Sequence, residues 1–273
     1  METITSRQNP TVRRAAELLA SPGERRARRE FLCEGARLCR DAALSGLTVR
    51  QCFFTDAARE KYAAYLEPVL QASGESFQVA DHVAALLSST KSSQGIYCVC
   101  AWPASLKGEK APSAPQSACV VLENLQDPGN LGTVLRTAEA LGLRRVILLG
   151  ECCDPLSPKV LRASMGAVFR LELEAERSPQ ALCARLGEAG FTLLATVPHR
   201  EAQPVTELDF SQGRWAVCIG NEGNGLSPET IALCHRQVTI PMGGRAESLN
   251  ASAAATILLW ELARAGKKED AHG

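Results

Sequence analysis

The chain has 273 residues, 45% of them hydrophobic and 22% charged, an ordinary globular composition that excludes a disordered or fibrous chain. Lysine plus arginine equals aspartate plus glutamate at 30 each, so bulk charge does not hold this protein on nucleic acid or on a membrane. No run of eighteen apolar residues is present, and the opening METITSRQNP lacks the apolar core of a secretory signal, which predicts a cytoplasmic protein with no membrane partner.

The length predicts about two domains. Residues 101–117, AWPASLKGEKAPSAPQS, carry three prolines and little periodicity and read as a linker. They separate a part spanning 1–100 from one spanning 118–265, and 266–273 reads as a solvated tail. Residues 1–40 hold nine arginines against five glutamates. The run ERRARRE within them has two readings: a patch that grips phosphates, or the exposed face of a helix with arginines paired to Glu24 and Glu30. LTVRQCFFT and SFQVAD follow as strands with a helix between them, and GIYCVCAW closes the part as a buried strand. This is a small α/β domain.

In the second part, ACVVLEN, RRVILLG, VFRLELE, FTLLATV, RWAVCIG and RQVTIPM read as strands alternating with helices. Ser157-Pro158, Ser178-Pro179 and Ser227-Pro228 mark helix starts, because serine accepts from orphan amides and proline needs no partner there. Gly142 and Gly190 fall where helices stop. The alternation predicts a parallel sheet covered on both faces. The eleven cysteines form no CxxC pair and the four histidines cluster with none of them, beyond the neighbours Cys234 and His235. That predicts free thiols packing as small hydrophobes and no metal site.

Ligands bind such sheets at the carboxyl ends of the strands, where three loops are chemically loaded. The first, Glu123–Asn130, precedes the helix LGTVLRTAEALG, with Asn130 as its expected N-cap and Leu131, Val134, Leu135, Ala138 and Leu141 as its packing stripe. Arg136 lies about 140° from Leu131 and so off that stripe. It reads either as plain surface or as a group presented to a ligand. The second loop, Gly220–Gly225, has three glycines in six residues, which suits a tight turn or the close approach of a ligand. It is neither the dinucleotide fingerprint nor a P-loop. The third, Gly243–Asn250, feeds the small-residue helix ASAAATILLWELARAG, with Ser248 or Asn250 at its start.

Together NLQDPGNLGTVLRTAEALG, IGNEGNGLSPE and IPMGGRAESLNASAAA resemble the three signature motifs of the SpoU-type (TrmH-like) RNA ribose 2′-O-methyltransferases of the SPOUT superfamily. In the first part, FLCEGARLCRDAAL and STKSSQGIYCVC resemble that family's substrate-binding module, which is similar to ribosomal protein L30e. The resemblance implies an L30e-like α/β domain followed by a parallel-sheet SPOUT domain tied in a trefoil knot. It implies S-adenosyl-L-methionine held by Gly220, Ile240 and Leu249 largely through backbone groups, with Thr196, Glu222, Met242, Asn250 and Ser252 beside it. It implies Arg136 as the catalytic residue, with Asn130, Glu222, Ser248 and Asn250 positioning ribose and phosphate. It also implies a homodimer through the C-terminal domain.

The expected function is methylation of a ribose 2′-hydroxyl in RNA, ribosomal RNA ahead of transfer RNA. A non-catalytic RNA-binding or ribosome-assembly factor on the same fold is the alternative. A Rossmann-type small-molecule methyltransferase ranks behind both, because its glycine-rich loop belongs after the first strand and here comes late.

Overall fold

The computed structural model describes residues 2–107, 117–199 and 201–266. Most of the expected linker (108–116) and nearly all of the expected tail (267–273) lie outside them. The chain divides into two units, Met1–Pro103 with Asp154–Phe169, and Ala104–Cys153 with Arg170–Gly273.

The first unit runs β1 (Glu2–Ile4), α1 (Pro10–Ala20), α2 (Pro22–Arg28), β2 (Glu30–Glu34), α3 (Ala36–Leu44), β3 (Val49–Phe54), α4 (Asp56–Lys61), α5 (Ala63–Ala72), β4 (Ser73–Val79), α6 (Asp81–Ala84) and β5 (Ile96–Ala101). Its five-stranded sheet has the order β1-β4-β3-β5-β2, with β5 antiparallel to both neighbours and the other pairs parallel. On one face Leu32, Phe53, Tyr97 and Val99 pack with Val12 and Leu18 of α1. Cys33 of β2 and Cys52 of β3 both pair in register with Cys98 of β5, and all three thiols are buried. Burial pushes the Cys33 and Cys98 thiols well above the ordinary value, as expected of inert packing groups.

The arginine-rich run takes a form between its two readings. Arg28 pairs with Glu24 at 2.8 Å, as the helix-face reading expects, but Glu30 pairs with Arg50 instead. Arg25 is only 3% exposed, and its Nε donates to Asp154 at 2.7 Å while its Nη1 donates to the Leu18 carbonyl at 2.6 Å. Arg13, Arg14, Arg26 and Arg29 remain exposed.

The second unit begins with β6 (Ala118–Glu123), α7 (Pro128–Ala140) and β7 (Arg145–Leu149). The chain next contributes Asp154–Phe169, including α8 (Pro158–Ser164), to the first unit, although these residues fall inside the expected 118–265 span. It returns as β8 (Glu172–Glu176), α9 (Pro179–Glu188), β9 (Phe191–Thr196), β10 (Gln203–Pro204), β11 (Arg214–Ile219), α10 (Pro228–Leu233), β12 (Arg236–Thr239) and α11 (Ala251–Gly266). The strand expected over VFRLELE starts only at Glu172. Ala167–Phe169 form a 3-10 turn instead, and the Phe169 ring lies 5.9 Å from that of Phe31.

All seven strands of this sheet are parallel, in the order β10-β12-β9-β11-β6-β7-β8. Its interior reads as near-continuous apolar runs, and all six residues of β6 are buried, as a sheet covered on both faces requires. The three Ser-Pro starts behave as expected: Ser157, Ser178 and Ser227 each cap a helix whose first residue is the following proline. Gly142 and Gly190 adopt φ of 82° and 79° just past the ends of α7 and α9. The strand order has a consequence for function. β11 lies between β6 and β9, so the loop after β11 emerges beside the loop after β6, nearly a hundred residues earlier in the chain.

Among the described residues no helix is long and apolar enough to cross a membrane.

Candidate functional site

The first loop sets α7 in place. Asn130 is not the N-cap: the cap is Asp127, whose Oδ1 accepts from the Asn130 amide at 2.8 Å, and α7 starts at Pro128. Asp-Pro takes the start because proline at the first helical position frees the preceding carboxylate to cap, as the Ser-Pro pairs do elsewhere. The Asn130 side chain, now within the first turn, is free to reach outward. Leu131, Val134, Leu135 and Ala138 are fully buried, as their spacing predicts, and Leu141 is partly buried. Arg136 stands on the opposite side, exposed, and has no hydrogen-bond or ion-pair partner among the described residues.

The second loop leaves β11 and folds back on itself. Asn221 and Gly225 exchange two backbone hydrogen bonds of 2.9 and 3.0 Å, and Asn221 Oδ1 accepts from the amides of Gly223 and Asn224. A Cβ at Gly220 would overlap the Gly225 carbonyl carbon and the Leu226 amide nitrogen, so only glycine permits that crossing.

Glu222 joins the two loops. Its Oε1 accepts from the Asp127 amide at 2.9 Å and from Asn130 Nδ2 at 3.1 Å, and its Oε2 accepts from the Gln126 amide at 3.2 Å. Burial alone pushes the carboxyl up, but the donors from Asp127, Asn130 and Gln126 outweigh it and hold the group below its ordinary value. Beside it Asn221 Nδ2 donates to the Asn124 carbonyl at 2.8 Å. Asn124 itself has φ 53° and accepts from the Glu151 amide, and a Cβ at Gly150 would overlap its Oδ1.

The third loop is exposed from Gly243 to Asn250. Asn250 Oδ1 accepts from the Ser252 amide at 2.9 Å, the Ser252 hydroxyl at 2.7 Å and the Ala253 amide at 3.3 Å. It therefore caps α11 and leaves its Nδ2 without a partner among the described residues. α11 packs on α7 and β11.

A cavity of about 370 Å³ opens where these strands end, within the range of small-molecule sites. Thr196, Gly220, Glu222, Ile240, Met242, Ser248 and Leu249 line it. Asn130, Arg136, Asn250 and Ser252 do not. Its walls are the apolar side chains of Ile219, Leu226, Val238 and Leu258, the backbone of the glycine loop, and small Ala251 and Ala254. The Thr196 hydroxyl is engaged, donating to the Cys218 carbonyl at 2.8 Å. Such a site reads a planar ring by shape and main-chain groups. The residues thus fit an adenosine-bearing cofactor. Among the described residues no group of three or more His, Cys, Asp or Glu has the arrangement to hold a metal ion.

Sequence reasoning missed Glu123, Asn124 and Asn221, which tie the loops together. For Glu123 a signal was present: a carboxylate ending the otherwise apolar run ACVVLE.

Comparison with known proteins matches two separate stretches of the chain. Residues 117–260 match a family model described as the SpoU rRNA Methylase family, and residues 9–98 match an MRM3-like substrate binding domain. An uncharacterized tRNA/rRNA methyltransferase of Synechocystis is 36% identical, over 96% of this chain and 93% of its own. A 23S rRNA guanosine 2′-O-methyltransferase of Bacillus subtilis is 29% identical, over 96% of this chain and 99% of its own. The AdoMet-bound rRNA methyltransferase of Sinorhizobium meliloti superposes with a TM-score of 0.84 at 28% identity, covering 96% of this chain and 97% of that one.

Proposed function

The chain belongs to the SpoU rRNA methylase family, and on that premise we propose that it transfers a methyl group from S-adenosyl-L-methionine to a ribose 2′-hydroxyl of ribosomal RNA. The observation that carries this reading is the Glu222 clamp, which couples the glycine loop lining the cavity to the first turn of the helix bearing Arg136. When bound, the cofactor supplies a methyl group made electrophilic by its positive sulfur. The main chain at Gly220, Ile240 and Leu249 holds it, with Thr196 and Met242 closing the slot. Ser252 acts through the α11 cap that it shares with Asn250.

A ribose hydroxyl is a weak nucleophile and must be oriented and give up its proton, which passes to water as the methyl group moves from the sulfur to the oxygen. Arginine is a poor base, because its guanidinium holds its proton at any working pH. Arg136 instead clamps the neighbouring phosphate and stabilises the oxygen as it becomes anionic, its exposed and unpartnered guanidinium being available for that. Ser248, Glu222, the Asn130 carboxamide oxygen and the free Nδ2 of Asn250 orient ribose and phosphate.

The first unit selects the RNA, and the exposed Arg13, Arg14, Arg26 and Arg29 meet its phosphates. The protein works in the cytoplasm as a homodimer through the second unit, with residues of both protomers near each site. The exposed Leu249, Ile257 and Trp260 support that contact. The loops after β11 and β12 cross as a trefoil knot, a threading supported by the insertion of β11 between β6 and β9.

Mapping 2′-O-methyl groups on total RNA from cells with and without the protein tests the function. A ribosomal ribose whose methylation disappears with the gene is expected; loss confined to transfer RNA, or no loss, overturns it.

A further inference from the structure

Glu123 is the last residue of β6 and is 2% exposed. A carboxylate in such a place is costly unless every oxygen is bonded. Among the described residues no cation pairs with it. Its Oε2 accepts from the Ser227 amide at 2.8 Å, and its Oε1 accepts from the hydroxyls of Ser227 and Thr230, each at 2.7 Å. All three donors come from the junction of the glycine loop and α10. Helix capping alone does not explain them, because Ser227 already caps α10 by accepting from the Thr230 amide. Glu123 therefore adds something the cap lacks: a fixed position of that junction relative to β6.

The next residue does the same at the loop's other end, where the Asn124 carbonyl accepts from Asn221. Consecutive residues of one strand end thus hold both ends of the segment 221–227. Between those ties lie the main-chain groups that line the cavity.

We propose that Glu123 is a positioning residue for cofactor binding, setting the far end of the glycine loop so that Gly220–Leu226 keep the shape that receives S-adenosyl-L-methionine. This rests on reading the cavity as that cofactor's site. The full chain, as wild type and as E123A, E123Q, S227A, E123A/S227A and V146A, is titrated with S-adenosyl-L-methionine by calorimetry, assayed on ribosomal RNA, and followed by amide hydrogen exchange.

In E123A the cofactor binds about ten- to a hundredfold more weakly, the loss expected when a charged hydrogen-bond acceptor is removed. KM for the cofactor rises in step, while kcat at saturation stays within about threefold. E123Q recovers most of the affinity, because both hydroxyls can accept from an amide as readily as they donate. The losses in E123A and S227A add to less than their sum in the double variant. V146A, which hollows the core at β7, lowers the melting temperature and leaves cofactor affinity unchanged.

Wild-type affinity in E123A, or an equal loss in V146A, overturns the proposal. If E123A does not fold, S227A decides: unchanged affinity there overturns it. A wild type that does not bind the cofactor removes the functional premise instead. Faster exchange at Gly223–Gly225 in E123A than in V146A then still upholds the tie, and equal exchange refutes it.

Discussion

Asn130 and Glu222 lie 92 residues apart in the chain, yet Asn130 Nδ2 donates to Glu222 Oε1 at 3.1 Å, and the same oxygen takes the amide of Asp127. The carboxylate thereby straps the glycine loop to the start of α7. Backbone amides before and at a helix start lack helical partners, and an anion is the favourable group to receive them.

The strap bears on pH dependence. Glu222 sits below its ordinary value of 4.5 in the folded chain, so its contribution is complete above that value and is lost only as pH falls through the lower, folded one. The rate profiles of wild type and E222Q are therefore expected to share one shape above about pH 5. A limb near neutrality present in wild type and absent in E222Q would make Glu222 a general base and contradict the strap.

Arg136 faces solvent and lies outside the cavity lining, so its loss should separate chemistry from cofactor binding. R136A is expected to slow methyl transfer by about a hundred- to a thousandfold or more. Calorimetry should show cofactor affinity almost unchanged. R136K should stay slow, because an ammonium cannot reproduce the planar fork of a guanidinium. Lost cofactor binding in R136A would count against the assignment.

Trp260 and Ile257, one turn apart on α11, are 54% and 38% exposed, and Leu249 in the loop before the helix is 38% exposed. Such a patch favours covering by a second copy. Sedimentation of the wild type should give a dimer, and W260E should shift it toward monomer. A wild type that sediments as a monomer at assay concentration removes the dimer.

The Arg25–Asp154 pair ties Asp154–Phe169 into the first unit, with Arg25 almost fully buried. R25M leaves the aspartate charge without its partner and should destabilise the first unit by about 3 kcal/mol, the low end for a broken buried pair because Asp154 keeps some solvent. Denaturant unfolding measures it. The double variant R25M/D154N should recover part of the loss, and an R25M of wild-type stability would show the pair to be idle.

What the sequence determined by itself was local or repetitive. The Ser-Pro starts at 157, 178 and 227, the stops at Gly142 and Gly190 and most of the apolar strands were legible, since each is set by backbone groups within four residues or by simple periodicity. Asn130 was misread as a cap because two acceptors competed for one helix start, and only the proline after Asp127 distinguished them. Tertiary structure decided which distant groups meet. The insertion of β11 beside β6 gave Glu222 its donors on α7 and Glu123 its donors at Ser227, and folding of 154–169 into the first unit turned Arg25 from a surface charge into a buried one. No spacing along the chain encodes such pairings, because a carboxylate's partner is whichever donor the strand order brings to it.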